Sequence, residues 1–438
     1  MKFGTDGVRG VAHTELTTEF AEQLARAAAV EFLLPNRTVV IGGDTRESTP
    51  DFVAALADGF RSEAVDVIDL GVVPTPLVAF EAQRRDAIGA MVSASHNPYA
   101  DNGIKLFAHG GAKLRDEVQA RIEGWLERDE EPAIADRRGD ITSESDHAGY
   151  IGHVLSILEG RRLDGLSLVL DCANGAAHDV APRVFRAAGA DVHVIADEPD
   201  GRNINDGCGA TDTSALVAEV LRTGADVGVA LDGDADRLIA VDHTGTVVDG
   251  DHVIAICAED LRQRGLLHDD TVGVTVMANL GFKLAMEASG INMVETRVGD
   301  RYVLEALDEG GYSLGGEQSG HVIFADHATT GDGILTALAL LDVVRRKGEA
   351  LAAVAEASMT SLPQVLLNVR VAERHPDVAE LMADEIAVAG EELGRTGRVL
   401  VRPSGTEPLI RVMVEAPTEE QADRVASRLA DEVESRFG

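Results

Sequence analysis

The sequence predicts an α/β protein: three related α/β domains with mixed, mostly parallel sheets, then a C-terminal α+β domain, arranged around a central cleft. Two observations carry this. An apolar strand, a small polar turn, an amphipathic helix and a returning strand recur at 37–71, 166–197 and 271–299. After about residue 359 the pattern changes to strands joined by one compact loop.

In order along the chain, RTVVIGGDTRESTPDFVAALADGFRSEAVDVIDLG (37–71) opens with a valine-rich run, turns at small polar residues and continues with apolar residues at helical period. LSLVLDCANGAAHDVAPRVFRAAGADVHVIAD (166–197) and TVGVTVMANLGFKLAMEASGINMVETRVG (271–299) repeat that grammar. Alternating strands and helices imply parallel pairing. The copies are too far apart for a solenoid, which leaves domains in series. Boundaries fall near Glu130–Glu144, His243–Gly250 and Ala357–Pro363, giving 1–140, 141–247, 248–358 and 359–438. In the last part VLLNVRVAE, a helix from about His375 to Leu393, the segment RVLVRPSGTEPLIRVMVEA and a closing helix from Thr418 to Phe437 predict a small antiparallel sheet with helices.

At roughly 150 residues per domain, 438 residues suit about three domains, with four allowed. The net charge of −36 repels nucleic acid and anionic lipid at long range. Five lysines against 34 arginines, with 75 acidic residues, look like a halophile's cytosolic protein. Cys172, Cys208 and Cys257 form no CxxC pair, which fits a reducing cytoplasm. The start MKFGTDGVRG has no apolar signal region, and no run reaches the ~18 apolar residues of a membrane span. The expected partner is a small molecule, without nucleic acid or membrane, bound by a cytoplasmic monomer or homodimer.

Four segments carry candidate chemistry. The first is Val92-Ser93-Ala94-Ser95-His96-Asn97-Pro98, after the apolar strand AIGAMV. Alone, Ser95 reads first as a serine that caps a turn, because a hydroxyl needs help to be a nucleophile. His96 is adjacent in sequence and need not face it, and no G-x-S-x-G elbow is present. Lys105 follows closely. The second segment is Asp232-Gly233-Asp234-Ala235-Asp236-Arg237, after ADVGVAL. Carboxylates so spaced repel one another and become tolerable around a hard dication. A calcium loop would need glycine sixth and glutamate twelfth, where Arg237 and His243 stand. Room left for water or phosphate oxygens suits Mg²⁺. The third, Gly315-Gly316-Glu317-Gln318-Ser319-Gly320-His321, offers the donors and acceptors that sugar hydroxyls need, though such loops are common. In the fourth, Arg402 and Arg411 flank Ser404-Gly405-Thr406, an anion cradle unless the arginines pair with neighbouring glutamates.

Together, and in this order, the four loops resemble the α-D-phosphohexomutases over the whole chain. That resemblance implies an isomerase that moves a phosphoryl group between hydroxyls of one hexose phosphate. It implies phosphoserine at Ser95, magnesium held by Asp232, Asp234 and Asp236 with the phosphoserine, and a hexose 1,6-bisphosphate as intermediate and activator. Glu317 and Ser319 would hold sugar hydroxyls; Arg402, Ser404, Gly405 and Thr406 would bind the phosphate that is not transferred. Arg9 and Arg237 would lie near the reacting phosphate, and Lys105 and His321 at positions of proton transfer. The four divisions would then be a phosphoserine, a metal-binding, a sugar-binding and a phosphate-binding domain. Phe3–Gly10, Asn203–Gly209, Met277–Gly281, Val298–Val303, Gln318 and Thr329–Gly333 look like the branch acting on glucosamine phosphates. Lys105 is the preferred proton carrier, because burial beside cations would lower its pKa; His321 is second. Competing readings are the same chemistry on glucose or mannose phosphates, a magnesium phosphatase, and a non-catalytic sugar-phosphate-binding protein.

Overall fold

In a computed structural model the chain is described at residues 2–4, 6–32, 37–128, 137–404 and 408–438. Its contacts form two compact units: 1–277 with 290–358, and 278–289 with 359–438.

The first unit contains three sheets. The first runs β1 (Val8–Val11), β5 (Asp101–Phe107), β4 (Ile88–Val92), β2 (Thr38–Gly43), β3 (Asp66–Val72), β6 (Ile141–Ser143). From β4 to β6 its pairs are parallel, while β5 is antiparallel to both β4 and β1. The helix Thr49–Ser62 connects β2 to β3, as the period of 37–71 predicts. Phe52, Leu56 and Phe60 of this helix share a fully buried cluster with Ile41, Ile88 and Ile104.

In the second sheet, β7 (Ser167–Asp171) is parallel to β8 (Asp191–Ile195) and to β9 (Val227–Leu231); β10 (Leu238–Asp242) turns back antiparallel, with β11 (Val247–Val248) at the edge. In the third, β12 (Thr271–Thr275) is parallel to β13 (Asn292–Thr296) and β14 (Leu314–Gly316), and β15 (Val322–Phe324) is antiparallel to β14. Strands β4 and β9 are buried at every residue, which is why they read as unbroken apolar runs.

The second unit is an antiparallel sheet, β16 (Gln364–Arg370), β18 (Leu409–Glu415), β17 (Arg398–Pro403), packed with the helix Glu419–Phe437. The helix expected at 375–393 is interrupted: it forms as Val378–Leu381 and Ala383–Leu393, with Met382 fully buried between them at φ −112° and ψ 19°. The helix Leu280–Ser289, read from sequence as part of the third repeat, makes its contacts with this unit. Asn279 exchanges hydrogen bonds with the Leu362 backbone, and Leu280 N–H donates to Glu415. A side chain at Gly281 would collide with the Thr360 carbonyl oxygen, so only glycine allows that approach. Among the described residues no helix is long and apolar enough to cross a membrane.

Candidate active site

Each of the four candidate segments joins two adjacent antiparallel strands. Ser95 lies between β4 and β5, the three aspartates between β9 and β10 and Glu317 between β14 and β15, while Arg402 lies on β17 and Ser404 just after it. Closing a loop onto paired strand ends pins it at both sides, which gives the side chains fixed directions.

Ser95 is buried and has φ +52°, a left-handed backbone that non-glycine residues seldom adopt and that clusters at functional sites. Its N–H donates to Ser93 Oγ at 2.9 Å. Arg46, fully buried, pairs with Asp44 and donates to the carbonyls of Ser95 (3.2 Å) and Asn97 (2.6 Å). Asn205 Nδ2 donates to the same two carbonyls, at 3.0 and 3.2 Å. The loop is therefore clamped from two sides and presents its hydroxyl. Gly233 passes so close that a Cβ there would lie 2.5 Å from the Ser95 carbonyl oxygen.

That hydroxyl meets the aspartates. Ser95 Oγ donates to Asp232 Oδ2 at 2.6 Å. Asp232, Asp234 and Asp236 are buried, and one oxygen of each lies within 4.8 Å of the others. Among the described residues, Asp234 Oδ1 and Asp236 Oδ1 are buried without a hydrogen-bond partner. Burial and the two neighbouring carboxylates push Asp232 up to about 8. Buried oxygens without a hydrogen bond, crowded carboxylates and an all-oxygen donor set fit a hard divalent cation with Ser95 at its edge.

Lys105 on β5 points into the cluster, 2.7 Å from Asp6, 2.8 Å from Asp234 and 3.0 Å from Asp236. Burial alone would lower its pKa, but the three carboxylates win and hold it well above the usual lysine range. This corrects the expectation from sequence. The lysine is buried, but among anions, so it stays charged. His96 also differs from expectation: its Nδ1 lies 3.3 Å from Ser95 Oγ. Burial, then Arg237 and Arg9, lower it to about 4, so this imidazole is neutral. Arg9 pairs with Asp6 at 2.9 Å and reaches the Ala94 carbonyl at 3.4 Å.

A pocket of about 390 Å³ opens beside this cluster, with Arg9, His96, Arg237, Asp300, Glu317 and His321 on its walls. Glu317 accepts from the Gly299 amide at 3.1 Å and from Ser319 Oγ at 3.4 Å. Gln318 turns instead to Asp249, at 3.2 Å. His321 is buried, with Nδ1 3.5 Å from Asp236 and Nε2 3.5 Å from Asp300. Gly331 N–H approaches the same Nε2 at 3.2 Å, a contact only the neutral ring could accept. Burial and Lys113 lower the His321 pKa, but Asp236 and Asp300 outweigh them, and it is raised.

In the C-terminal unit Arg402 and Arg411 stand opposite each other on β17 and β18. Burial, then the like charge of Arg411, lower the Arg402 pKa. Ser404 is buried, and its N–H donates to the Leu409 carbonyl at 2.9 Å. Gly405 and Thr406 lie outside the described residues.

Comparison with known proteins decides the family. The four parts of the phosphoglucomutase/phosphomannomutase model match in sequence order: alpha/beta/alpha domains I, II and III at residues 1–133, 148–245 and 249–362, and the C-terminal domain at 366–432. The chain belongs to this family, the α-D-phosphohexomutases. This phosphohexomutase is 54% identical to the phosphoglucosamine mutase of Thermobifida fusca, over 98% of this chain and 97% of that one. It is 52% identical to that of Streptomyces avermitilis, over 100% and 99%. A Burkholderia thailandensis phosphoglucomutase/phosphomannomutase family protein superposes with a TM-score of 0.83 at 25% identity, over 99% and 97% of the two chains. Aspergillus fumigatus N-acetylphosphoglucosamine mutase, solved with GlcNAc-6P and magnesium, shares the fold with a TM-score of 0.72 at 19% identity, over 100% and 96%.

Asp6, Arg46, Lys113 and Asp300 also stand within or against this cluster, and reading the sequence for chemistry missed them; His96 was considered there and set aside. Asp6 and Asp300 lie in Phe3–Gly10 and Val298–Val303, segments that by themselves resemble a branch of the family and carry no chemical pattern. An acid and a base two residues apart, Asp44 and Arg46, just after the apolar run that ends in Gly42-Gly43, were the available signal for Arg46.

Proposed function

We propose that this phosphohexomutase is a phosphoglucosamine mutase, interconverting glucosamine 6-phosphate and glucosamine 1-phosphate through phosphoserine 95 and a 1,6-bisphosphate, in supply of UDP-N-acetylglucosamine synthesis. The observation that carries it is Ser95 Oγ 2.6 Å from Asp232 inside a buried trio of carboxylates. The names of the full-length relatives support the substrate.

The phosphoryl group on Ser95 Oγ passes to the free hydroxyl at C1. The P–O bond to serine breaks, a P–O bond to the sugar forms, and the sugar's hydroxyl proton ends on Ser95 Oγ, which is a free hydroxyl again. The bisphosphate reorients and returns its C6 phosphoryl group to Ser95, releasing the 1-phosphate. Asp232, Asp234 and Asp236 would hold Mg²⁺ together with a phosphoserine oxygen. When bound, the ion neutralises phosphate charge and stabilises the departing serine oxygen. Lys105, charged beside Asp234 and Asp236, stabilises charge at the reacting oxygens, and takes a hydroxyl proton only if its carboxylates are engaged elsewhere. Arg9 and Arg237 face the reacting phosphate, Glu317 and Ser319 the sugar hydroxyls. Arg402, Ser404 and Arg411, with Gly405 and Thr406, would hold a second phosphate. The divisions 1–140, 141–247, 248–358 and 359–438 then separate phosphoserine, metal, sugar and phosphate functions. The setting is the cytoplasm, with the protein a monomer or homodimer.

Turnover of glucosamine, glucose and mannose 6-phosphates, each primed by a hexose 1,6-bisphosphate with Mg²⁺, tests this. Glucosamine 6-phosphate should be preferred, and Ser95→Ala should lower kcat by orders of magnitude. Near wild-type turnover in Ser95→Ala would overturn the phosphoserine route; a preference for mannose or glucose phosphate would overturn the substrate.

A further inference from the structure

Six ionisable side chains close a ring behind the pocket. Lys105 Nζ lies 3.0 Å from Asp236 Oδ2, and Asp236 Oδ1 lies 3.5 Å from His321 Nδ1. His321 Nε2 lies 3.5 Å from Asp300 Oδ2, and that oxygen pairs with Lys113 Nζ. Lys113 lies 3.0 Å from Asp6 Oδ1, and Asp6 Oδ2 returns to Lys105 at 2.7 Å. None of the six side chains is more than 15% exposed.

The proposed reaction uses Lys105 and Asp236 and leaves Lys113 and Asp300 without a part. Burying ion pairs is no route to stability, because desolvation offsets most of the attraction. What a closed ring fixes is direction. Asp6 and Asp236 each hold two neighbours through different oxygens, so neither carboxylate can rotate without breaking a pair. The members also come from separate places in the fold: Lys105 from β5, Asp236 from the β9–β10 turn, Asp300 from the start of the helix Asp300–Gly310, and His321 from the β14–β15 turn. Two of them seal it. Lys113 ties Asp6 to Asp300, and Asp300 ties Lys113 to His321.

We propose that Lys113 and Asp300 are positioning residues for phosphoryl transfer. Through Asp6 and His321 they hold the Lys105 ammonium and the Asp236 carboxylate at the angles the transfer requires, without touching the reacting atoms. This rests on the mutase reading. Asp300 also lines the pocket, so the competing role for it is direct contact with substrate.

Steady-state kinetics of Lys113→Met, Asp300→Asn, the double variant and Lys113→Arg decide it. Misplacement of reacting groups by about 1 Å costs on the order of 100-fold. Each single variant should therefore lose roughly 10- to 100-fold in kcat with KM within about threefold, the split expected when only the transition state is affected. The double variant should be no worse than the worse single one, because both act through one ring. Lys113→Arg, which keeps the charge, should recover most of the loss. Unchanged kcat, losses that multiply in the double variant, or a raised KM at constant kcat would each overturn the proposal. If Lys113→Met does not fold, Lys113→Gln replaces it, and a wild-type kcat there has the same force. Phosphoryl uptake by Ser95 from a hexose 1,6-bisphosphate, read by mass, is measured alongside. Wild-type uptake without turnover of glucosamine 6-phosphate would mean that the substrate reading has failed; the ring is then judged on the rate of uptake, with the same expected losses and the same overturning results.

Discussion

Asp232→Asn should stabilise the metal-free protein while removing its activity. Burial and its two neighbours raise Asp232 from 3.8 to about 8. A carboxyl raised in the folded state carries no penalty below about pH 4, a growing one as pH climbs, and its full penalty above about pH 8. At neutral pH this amounts to about 4 kcal/mol, because each pKa unit is worth about 1.4 kcal/mol. Asparagine removes the charge and keeps the shape. Its oxygen can still accept from Arg237 N–H, now at 3.1 Å, and its amide can face Ser95 Oγ with the hydroxyl reversed. In EDTA at pH 8 the variant should melt roughly 5 °C above wild type, and the gap should close towards pH 4. Mg²⁺ should raise the wild-type midpoint at pH 8 and barely move the variant's. Scanning fluorimetry over pH, with EDTA or Mg²⁺, reads all of this. A variant no more stable than wild type in EDTA at pH 8, or a gap that does not depend on pH, would refute the argument that the carboxylates are held together at a cost.

Other consequences are as direct. Arg46→Met leaves Asp44 buried without its partner and frees the Ser95 and Asn97 carbonyls, so it should cost about 3–5 kcal/mol in denaturant unfolding and lower kcat as well. Gly233→Ala puts a methyl group against the Ser95 carbonyl oxygen and should lower kcat about 10- to 100-fold with an unchanged circular dichroism spectrum. Arg402→Met should weaken inhibition by inorganic phosphate about tenfold or more, the value of a charged hydrogen bond, without lowering the thermal midpoint, since it also relieves repulsion from Arg411.

The site was legible where chemistry is local. Three aspartates at alternate positions after an apolar strand cannot stay together without a reason, and the turn that carries them is as buried as the strand suggested. Ser95 was ambiguous because nothing beside it in sequence distinguishes a turn cap from a nucleophile; the distinction is Asp232, 137 residues away. Lys105 was misjudged because a pKa depends on neighbours across the fold, and these proved to be anions. Met382, an ordinary helix former, gave no sign of the break at its position.

By itself the sequence determined the strands and helices of the three repeats, since a buried parallel strand must be an apolar run and a covering helix must repeat at 3.6 residues. It determined the four chemical segments too, because their residue types are costly anywhere else. Only the tertiary structure decided that each segment closes an antiparallel pair, that Arg46 and Asn205 grip the Ser95 loop, and that Lys113 and Asp300 complete a ring. Those facts depend on distances between residues remote in the chain, and no local pattern encodes a distance.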